Sequence, residues 1–277
     1  MQANFNLNEI NNKIKALQKP AIAEMSKLDS LKLILSCLDL TTLEGGDHDD
    51  KVSALSEKAR GYTQLGLPNV AAVCVYPTFA RLVRKKLQGS GVNTACVAGA
   101  FPSGQSSLKI RLDEVKYAVD EGAQEIDMVI SRGRFLQGDF DFIAQEVSRT
   151  KEACGDAHLK VILETGELGS LENIRKASDL AIDAGADFIK TSTGKIQPAA
   201  TPEAVWVMLE AIRDHYGKTG KKIGIKPAGG IAEPEQAILY ANLVKHLLGG
   251  EWLNSKFFRI GASRLADNVA EKLRTGI

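Results

Sequence analysis

Lys190 and Lys226 each lie within an apolar run, Phe188-Ile189-Lys190 and Ile223-Gly224-Ile225-Lys226. A lysine buried in such a run costs several kcal/mol unless it is paired or neutral. Desolvation and a nearby like charge both lower an ammonium pKa, leaving an amine that can attack a carbonyl. Two such lysines side by side therefore point to Schiff-base chemistry. The alternative is a structural ion pair, each lysine held by a carboxylate such as Asp127 in Glu125-Ile126-Asp127. As a functional group, Asp127 would relay protons during carbinolamine formation and breakdown. Asp39, in Leu38-Asp39-Leu40-Thr41-Thr42, is expected either to bind a substrate hydroxyl or to hold a lysine. Cys74 closes an apolar run and has no histidine placed to activate it, so it reads as pocket lining. Glu164, in Glu-Thr-Gly-Glu, is expected to hydrogen-bond structurally.

Strand-like runs that alternate with helical periodicity must position these residues. The strands are expected at 33–40, 70–76, 94–98, 125–130, 159–164, 187–191, 222–226 and 257–261. Helices are expected at 51–65, 78–88, 109–121, 140–154, 170–184, 202–216, 234–247 and about 263–274. Ser170, Thr201-Pro202 and Glu233-Pro234 open helices, and Gly66, Gly122, Gly185 and Gly217 stand where helices should stop. Eight strand-then-helix units predict an α/β fold of the (β/α)₈ TIM-barrel type. No G-x-G-x-x-G follows the first strand, which argues against a doubly wound sheet. Residues 1–32 read as a helical extension and 33–277 as one barrel domain. The segment 118–127 is echoed at 181–190, an offset of 63 residues that places Asp127 and Lys190 at equivalent heights two units apart.

Barrel chemistry belongs at the C-terminal ends of strands. Lys190 and Lys226 satisfy this rule, whereas Lys160 and Lys222 stand at strand starts and read as solvated. Phosphate sites in such barrels use the loops after strands seven and eight and a helix N-terminus. Gly229 and Gly230 after strand seven, and Ser263 after strand eight, fit that use. Thr193, Gly194 and Lys195 add candidate substrate contacts after strand six.

A formal charge of +1 gives no reason to expect nucleic acid or a membrane as partner. No apolar run approaches the roughly 20 residues of a membrane span, and Met1–Asn12 lacks the apolar stretch of a secretion signal. Cys37, Cys74, Cys96 and Cys154 form no C-x-x-C pair, so a reduced, cytoplasmic chain is the simplest reading. His48, His158, His215 and His246 show no zinc-binding spacing.

The chain resembles the deoxyribose-phosphate aldolases, a class I aldolase family, over about residues 31–274. The resemblance is carried by Leu38-Asp39-Leu40-Thr41-Thr42-Leu43, Val73-Cys74-Val75-Tyr76-Pro77, Glu164-Thr165-Gly166-Glu167-Leu168, Asp187–Lys195 and Lys226-Pro227-Ala228-Gly229-Gly230. It implies reversible cleavage of 2-deoxy-D-ribose 5-phosphate to acetaldehyde and D-glyceraldehyde 3-phosphate, without metal or organic cofactor. It also implies Lys190 as the Schiff-base lysine, Lys226 as the lysine that lowers its pKa and Asp127 as the proton relay. Cys74 matches the pocket cysteine and Asp39 the substrate-contacting aspartate, and a homodimer is implied.

Two departures stand out. Arg264 follows Ser263 where family members often carry a second serine. The chain ends in Gly276-Ile277 without the tail tyrosine of some relatives, so any help it gives proton transfer is expected to be absent or differently supplied. Without the resemblance, two other functions fit the phosphate features: an isomerase or synthase using carboxylates, and a phosphosugar-binding barrel without catalysis.

Overall fold

In the computed structural model, which describes residues 5–275, the strand–helix alternation closes into a barrel. The strands are β1 (Leu38–Thr41), β2 (Ala72–Val75), β3 (Asn93–Ala98), β4 (Glu125–Val129), β5 (His158–Ile162), β6 (Phe188–Lys190), β7 (Gly224–Lys226) and β8 (Ile260–Gly261). The helices are α1 (Leu7–Ala16), α2 (Lys27–Ser36), α3 (Asp49–Gln64), α4 (Ala80–Lys86), α5 (Leu108–Asp120) and α6 (Arg132–Leu136). They continue with α7 (Phe140–Cys154), α8 (Leu171–Asp183), α9 (Pro202–Thr219), α10 (Pro234–Leu248) and α11 (Arg264–Thr275). All paired strands are parallel, in the order β7-β6-β5-β4-β3-β2-β1-β8. Bridges between Ile225 and Phe258 and between Ala228 and Gly261 bring β7 alongside the β8 segment and complete the ring.

Successive strand residues point to opposite faces, so each strand supplies one set to the barrel interior and another to the helices. Leu38, Leu40, Val73, Val75, Ile126, Met128, Val161 and Ile189 belong to the large outer core beneath the helices. Inside, β2 and β3 contribute a separate patch of small residues, Ala72, Cys74, Ala95 and Val97, capped by Leu43. The other strands turn charged side chains inward.

Two expectations need correction. Residues 33–36 belong to α2 rather than to the first strand: Ser26 caps the helix by accepting from Asp29 N, and Leu31, Ile34 and Leu35 form its buried stripe. A short apolar run suits either element, and here the cap upstream decides for helix. Gly217 does not stop α9, which continues to Thr219 and ends at Gly220 in the left-handed region, with φ +69°. The segment that precedes the barrel packs on its outside, α1 on α9 and α2 on α10 and α11. Asn242 of α10 fastens it, accepting from Ala23 N and donating to the carbonyls of Leu17 and Ala21. Gly276 and Ile277, on which the expectation about the tail falls, lie outside the described residues.

Phe188 and Gly224 are register partners on β6 and β7, and the Phe188 ring fills the space a Gly224 side chain would take. Overfilling a packed interior typically costs about 1–3 kcal/mol. Gly224→Ala should lower unfolding stability by that amount, and urea denaturation followed by circular dichroism would show no loss if the ring can move aside.

Candidate active site

The inward-facing residues of β1 and β4–β7, with one from the segment leading into β8, converge on a sealed charged layer. It contains the carboxylates Asp39, Glu125 and Asp127 and the cations Lys160, Lys190, Lys226 and Arg259, none more than 4% exposed. Asp127 is the hub. Its Oδ2 accepts from Lys190 Nζ at 2.8 Å and from Lys226 Nζ at 2.7 Å, while Oδ1 accepts from Lys160 Nζ at 2.9 Å. Asp39 pairs with Lys226 at 2.5 Å and with Arg259 at 2.7 Å. Glu125 pairs with Lys160 at 2.5 Å and with Arg259 at 2.7 Å. Lys190 and Lys226 are register partners on β6 and β7, so their stems run side by side.

Fully ionised, this layer holds four positive charges against three negative ones. In a desolvated interior one excess charge is costly, so the arrangement favours losing one proton. The surroundings select which cation loses it. Burial holds Lys190 below the ordinary lysine range; Asp127 opposes that shift and the Lys226 ammonium reinforces it. Burial acts against Lys160 and Lys226 too, but two close carboxylates outweigh it in each case and hold both lysines above the usual range. Asp127 is also desolvated, yet Lys160, Lys190 and Lys226 together keep its carboxyl well below the carboxylate range. Lys190 is thus the lysine of the layer whose surroundings work against its charge, beside Lys226, whose surroundings favour its own.

Lys190 is also the one member of the layer that lines the cavity at the C-terminal mouth. This cavity, about 480 Å³, is bounded by Thr41, Leu43 and Glu44 on one side and by Thr193, Gly194 and Lys195 on another. Ala228–Ala232 and Gly261–Arg264 line the remainder. The expected contacts Thr193, Gly194, Lys195, Gly229, Gly230 and Ser263 all face this space. Arg264, where family members often carry a second serine, lines it too. The backbone N–H groups of Gly229, Gly230 and Ser263 donate to no described residue, and α11 begins at Arg264. Such a set of donors at a helix N-terminus suits a phosphate.

Close packing accounts for two glycines here. A Cβ on Gly229, whose φ is +86°, would lie 2.6 Å from Ala199 Cβ. One on Gly261 would lie 2.9 Å from Ala228 Cβ and 3.3 Å from Lys226 Cε, on the path the Lys226 stem takes. The mouth is braced from below by Glu164, whose backbone is left-handed at φ +55°. Its carboxylate accepts from Thr193 N at 3.1 Å, from Thr193 Oγ1 and from Arg132 at 3.1 Å. Thr193 Oγ1 in turn accepts from Lys195 N at 3.1 Å. Thr191 Oγ1 ties β6 to β7 by accepting from Ala228 N at 3.0 Å. Glu164 thus has the structural hydrogen bonds expected of it.

The structure moves two placements from expectation, Lys160 and Cys74, and narrows a third, Asp39. Lys160 is not solvated: it is fully buried on Asp127 and Glu125. It is the third of the five residues of β5, directly beside Asp127 of β4, and points to the interior with it. Asp39 is fully buried beneath Lys226 and pairs with Lys226 and Arg259, so of its two expected roles the one in view is holding a lysine. Cys74 packs in the small-residue patch rather than at the mouth, where burial pushes its thiol up to about 11. Sequence reasoning missed Glu125, Arg259 and Glu44. The first two carried the mark that singled out Lys190, a charge at strand period within an apolar run. Glu44 carried no mark.

A model of the DeoC/LacD family aldolases matches residues 34–244. A deoxyribose-phosphate aldolase of Homo sapiens is 46% identical over 248 residues, spanning 85% of this chain and 78% of that protein. One of Bos taurus is 42% identical over 268 residues, spanning 92% of this chain and 84% of that protein. Among solved structures, a tetrameric deoxyribose phosphate aldolase from Aeropyrum pernix shares the fold, with a TM-score of 0.70 at 23% identity. It covers 99% of this chain and 100% of its own.

Burial alone would raise the Asp39 and Glu125 carboxyls, but Lys226 and then Arg259 bring Asp39, and Lys160 and then Arg259 bring Glu125, below the ordinary range. A depressed folded-state pKa contributes stability that is present above the unfolded pKa and lost as pH falls. Arg259→Met weakens that depression, so acid unfolding should begin at a higher pH than in the wild type. The stability lost at neutral pH should be about 3–5 kcal/mol, as when one partner of a buried pair is removed. An unchanged acid midpoint in a circular-dichroism pH titration would contradict the assignment.

Proposed function

The chain belongs to the DeoC/LacD family of aldolases, and we propose that Lys190 is the amine through which it forms its Schiff base. The enzyme is a lyase that reversibly cleaves 2-deoxy-D-ribose 5-phosphate into acetaldehyde and D-glyceraldehyde 3-phosphate. One observation carries the assignment of Lys190. It is the buried cation whose surroundings favour the neutral amine, and it is also the one that reaches the cavity.

In this reading Lys190 Nζ attacks the C1 aldehyde, and the carbinolamine loses water to give a protonated imine. Loss of the C3 hydroxyl proton breaks the C2–C3 bond, and its electrons pass to C2 as the iminium becomes an enamine. Glyceraldehyde 3-phosphate leaves. The enamine is protonated at C2, and hydrolysis of the imine releases acetaldehyde and restores the Lys190 amine. Asp127 touches both lysines through one oxygen, so it can pass a proton between Lys226 and the nitrogen of the adduct. Neighbouring groups whose pKa values are driven apart divide acid from base: Lys226 is the acid and Lys190 the nucleophile.

Backbone N–H groups of Gly229, Gly230 and Ser263, with the charges of Lys195 and Arg264, hold the phosphate. Thr193 and Gly194 complete that wall. Asp39 acts as a positioning residue, fixing Lys226 from below. We propose residues 33–277 as the catalytic domain and residues 1–32 as an extension, whose α1 and the start of α2 pack on the barrel's outside.

We further propose a homodimer in a reducing, cytoplasmic setting. All four cysteines are unpaired and buried, which supports the setting. No helix of the described residues is long and apolar enough to cross a membrane. The tetrameric Aeropyrum pernix protein supports self-association.

Borohydride added with acetaldehyde should leave a two-carbon adduct on Lys190, located by peptide mass spectrometry; an adduct elsewhere, or none on folded protein, overturns the reading. Removing Lys226 takes away a like charge and frees Asp127 to favour the Lys190 ammonium, and both effects raise the Lys190 pKa. The acid limb of the kcat/KM profile should therefore move to higher pH in Lys226→Met, with turnover reduced by about 10²–10⁴-fold for a lost proton donor. A limb that stayed in place would assign it to another group.

A further inference from the structure

The loops after β7 and β8 lie between β6 and β1 in the order of the barrel, and one ion pair spans them. Glu44, in the β1–α3 loop, accepts from Lys195 Nζ, in the β6–α9 loop, at 3.0 Å. Both side chains line the cavity that contains Gly229, Gly230 and Ser263. Each end of the pair is anchored. Asp47 accepts from Glu44 N at 3.0 Å and from Thr42 Oγ1 at 2.8 Å, and Tyr76 donates to the Leu43 carbonyl at 3.4 Å. Lys195 is steadied through Thr193, which Glu164 grips. Two braced loops thus aim a carboxylate and an ammonium at each other across the wall assigned to the substrate phosphate.

A carboxylate fits poorly beside an anion site, because a phosphate drawn to Lys195 meets the Glu44 charge within a few ångströms. We infer that Glu44 is a specificity-determining residue, an internal competitor of the substrate phosphate for Lys195. The phosphate must break the Glu44–Lys195 pair to gain that lysine, and Glu44 reclaims it as the phosphorylated product departs. The pair therefore weakens the preference for phosphorylated over unphosphorylated sugar and favours product release. This inference rests on the phosphate reading given above.

Steady-state kinetics of the wild type and Glu44→Gln separate the two claims, using 2-deoxyribose 5-phosphate and unphosphorylated 2-deoxyribose as substrates and inorganic phosphate as inhibitor. Glu44→Gln should lower both the KM for the phosphosugar and the inhibition constant of phosphate. The change should be about two- to five-fold, the scale of a partly exposed ion pair. The KM for the unphosphorylated sugar should not follow, and the differences should shrink as salt is raised. In a Lys195→Met background the Glu44→Gln effect should vanish. The inference is overturned if the phosphosugar KM is unchanged or higher, if both sugars respond equally, or if the effect survives without Lys195. A wild type that neither prefers the phosphosugar nor binds phosphate overturns the phosphate reading along with it.

Discussion

Seven ionisable side chains are buried in one layer inside the barrel, so their charges must balance chiefly among themselves. Three carboxylates and four cations cannot all be ionised without leaving one uncompensated charge in a medium that penalises it heavily. Geometry divides the cations unequally. Lys160 and Lys226 each touch two carboxylates, Arg259 bridges Asp39 and Glu125, and Lys190 has Asp127 alone, shared with two other lysines. The least compensated cation is also the one at the cavity. If Lys190 is the reactive amine, as proposed, its state depends on the entire layer.

The barrel builds this constraint with ordinary means. Strand periodicity places Glu125 with Asp127, Phe188 with Lys190 and Gly224 with Lys226 on the inner face, two residues apart. Small residues on β2 and β3 leave room for lysine and arginine stems that cross the interior. Gly261 clears the path of Lys226. Above the layer, the fixed loops carry the second recognition element, with glycine N–H groups, Ser263 and the α11 N-terminus opposite Lys195. Glu164 connects the two levels, since the strand end that precedes the β5–α8 loop also grips the loop that carries Lys195. The amine at depth and the anion donors at the rim lie along one cavity wall, an arrangement suited to a phosphorylated aldehyde.

Much of this was legible from residue order. The eight strand–helix units, the mouth loops and the trio Lys190, Lys226 and Asp127 follow from charges and glycines set at strand ends. The partners of that trio were harder to see. Lys160 reads from sequence as a strand start, but β5 begins at His158, which makes Lys160 its third residue and the direct neighbour of Asp127. Arg259 sits in Phe257-Phe258-Arg259-Ile260 and carried the same signal as Lys190, but its two carboxylates lie 220 and 134 residues away. The Glu44–Lys195 pair joins loops 151 residues apart and leaves no periodic trace. The apolar stretch at residues 33–36 was ambiguous because helix and strand bury such a run equally well. What one strand or helix determines could be read locally; what depends on how strands are staggered against one another could not.

The central claim is that one amine of the layer is neutral and that it belongs to Lys190. Nitrogen NMR of protein labelled at the lysine side chains, with Lys190→Met to identify the resonance, reads this directly across a pH titration. The account predicts that the Lys190 Nζ signal is that of a neutral amine near neutral pH, while the Lys160 and Lys226 signals remain those of ammonium groups. A Lys190 signal that stays protonated to the same high pH as the other two, or a neutral Lys226 beside a charged Lys190, would contradict it.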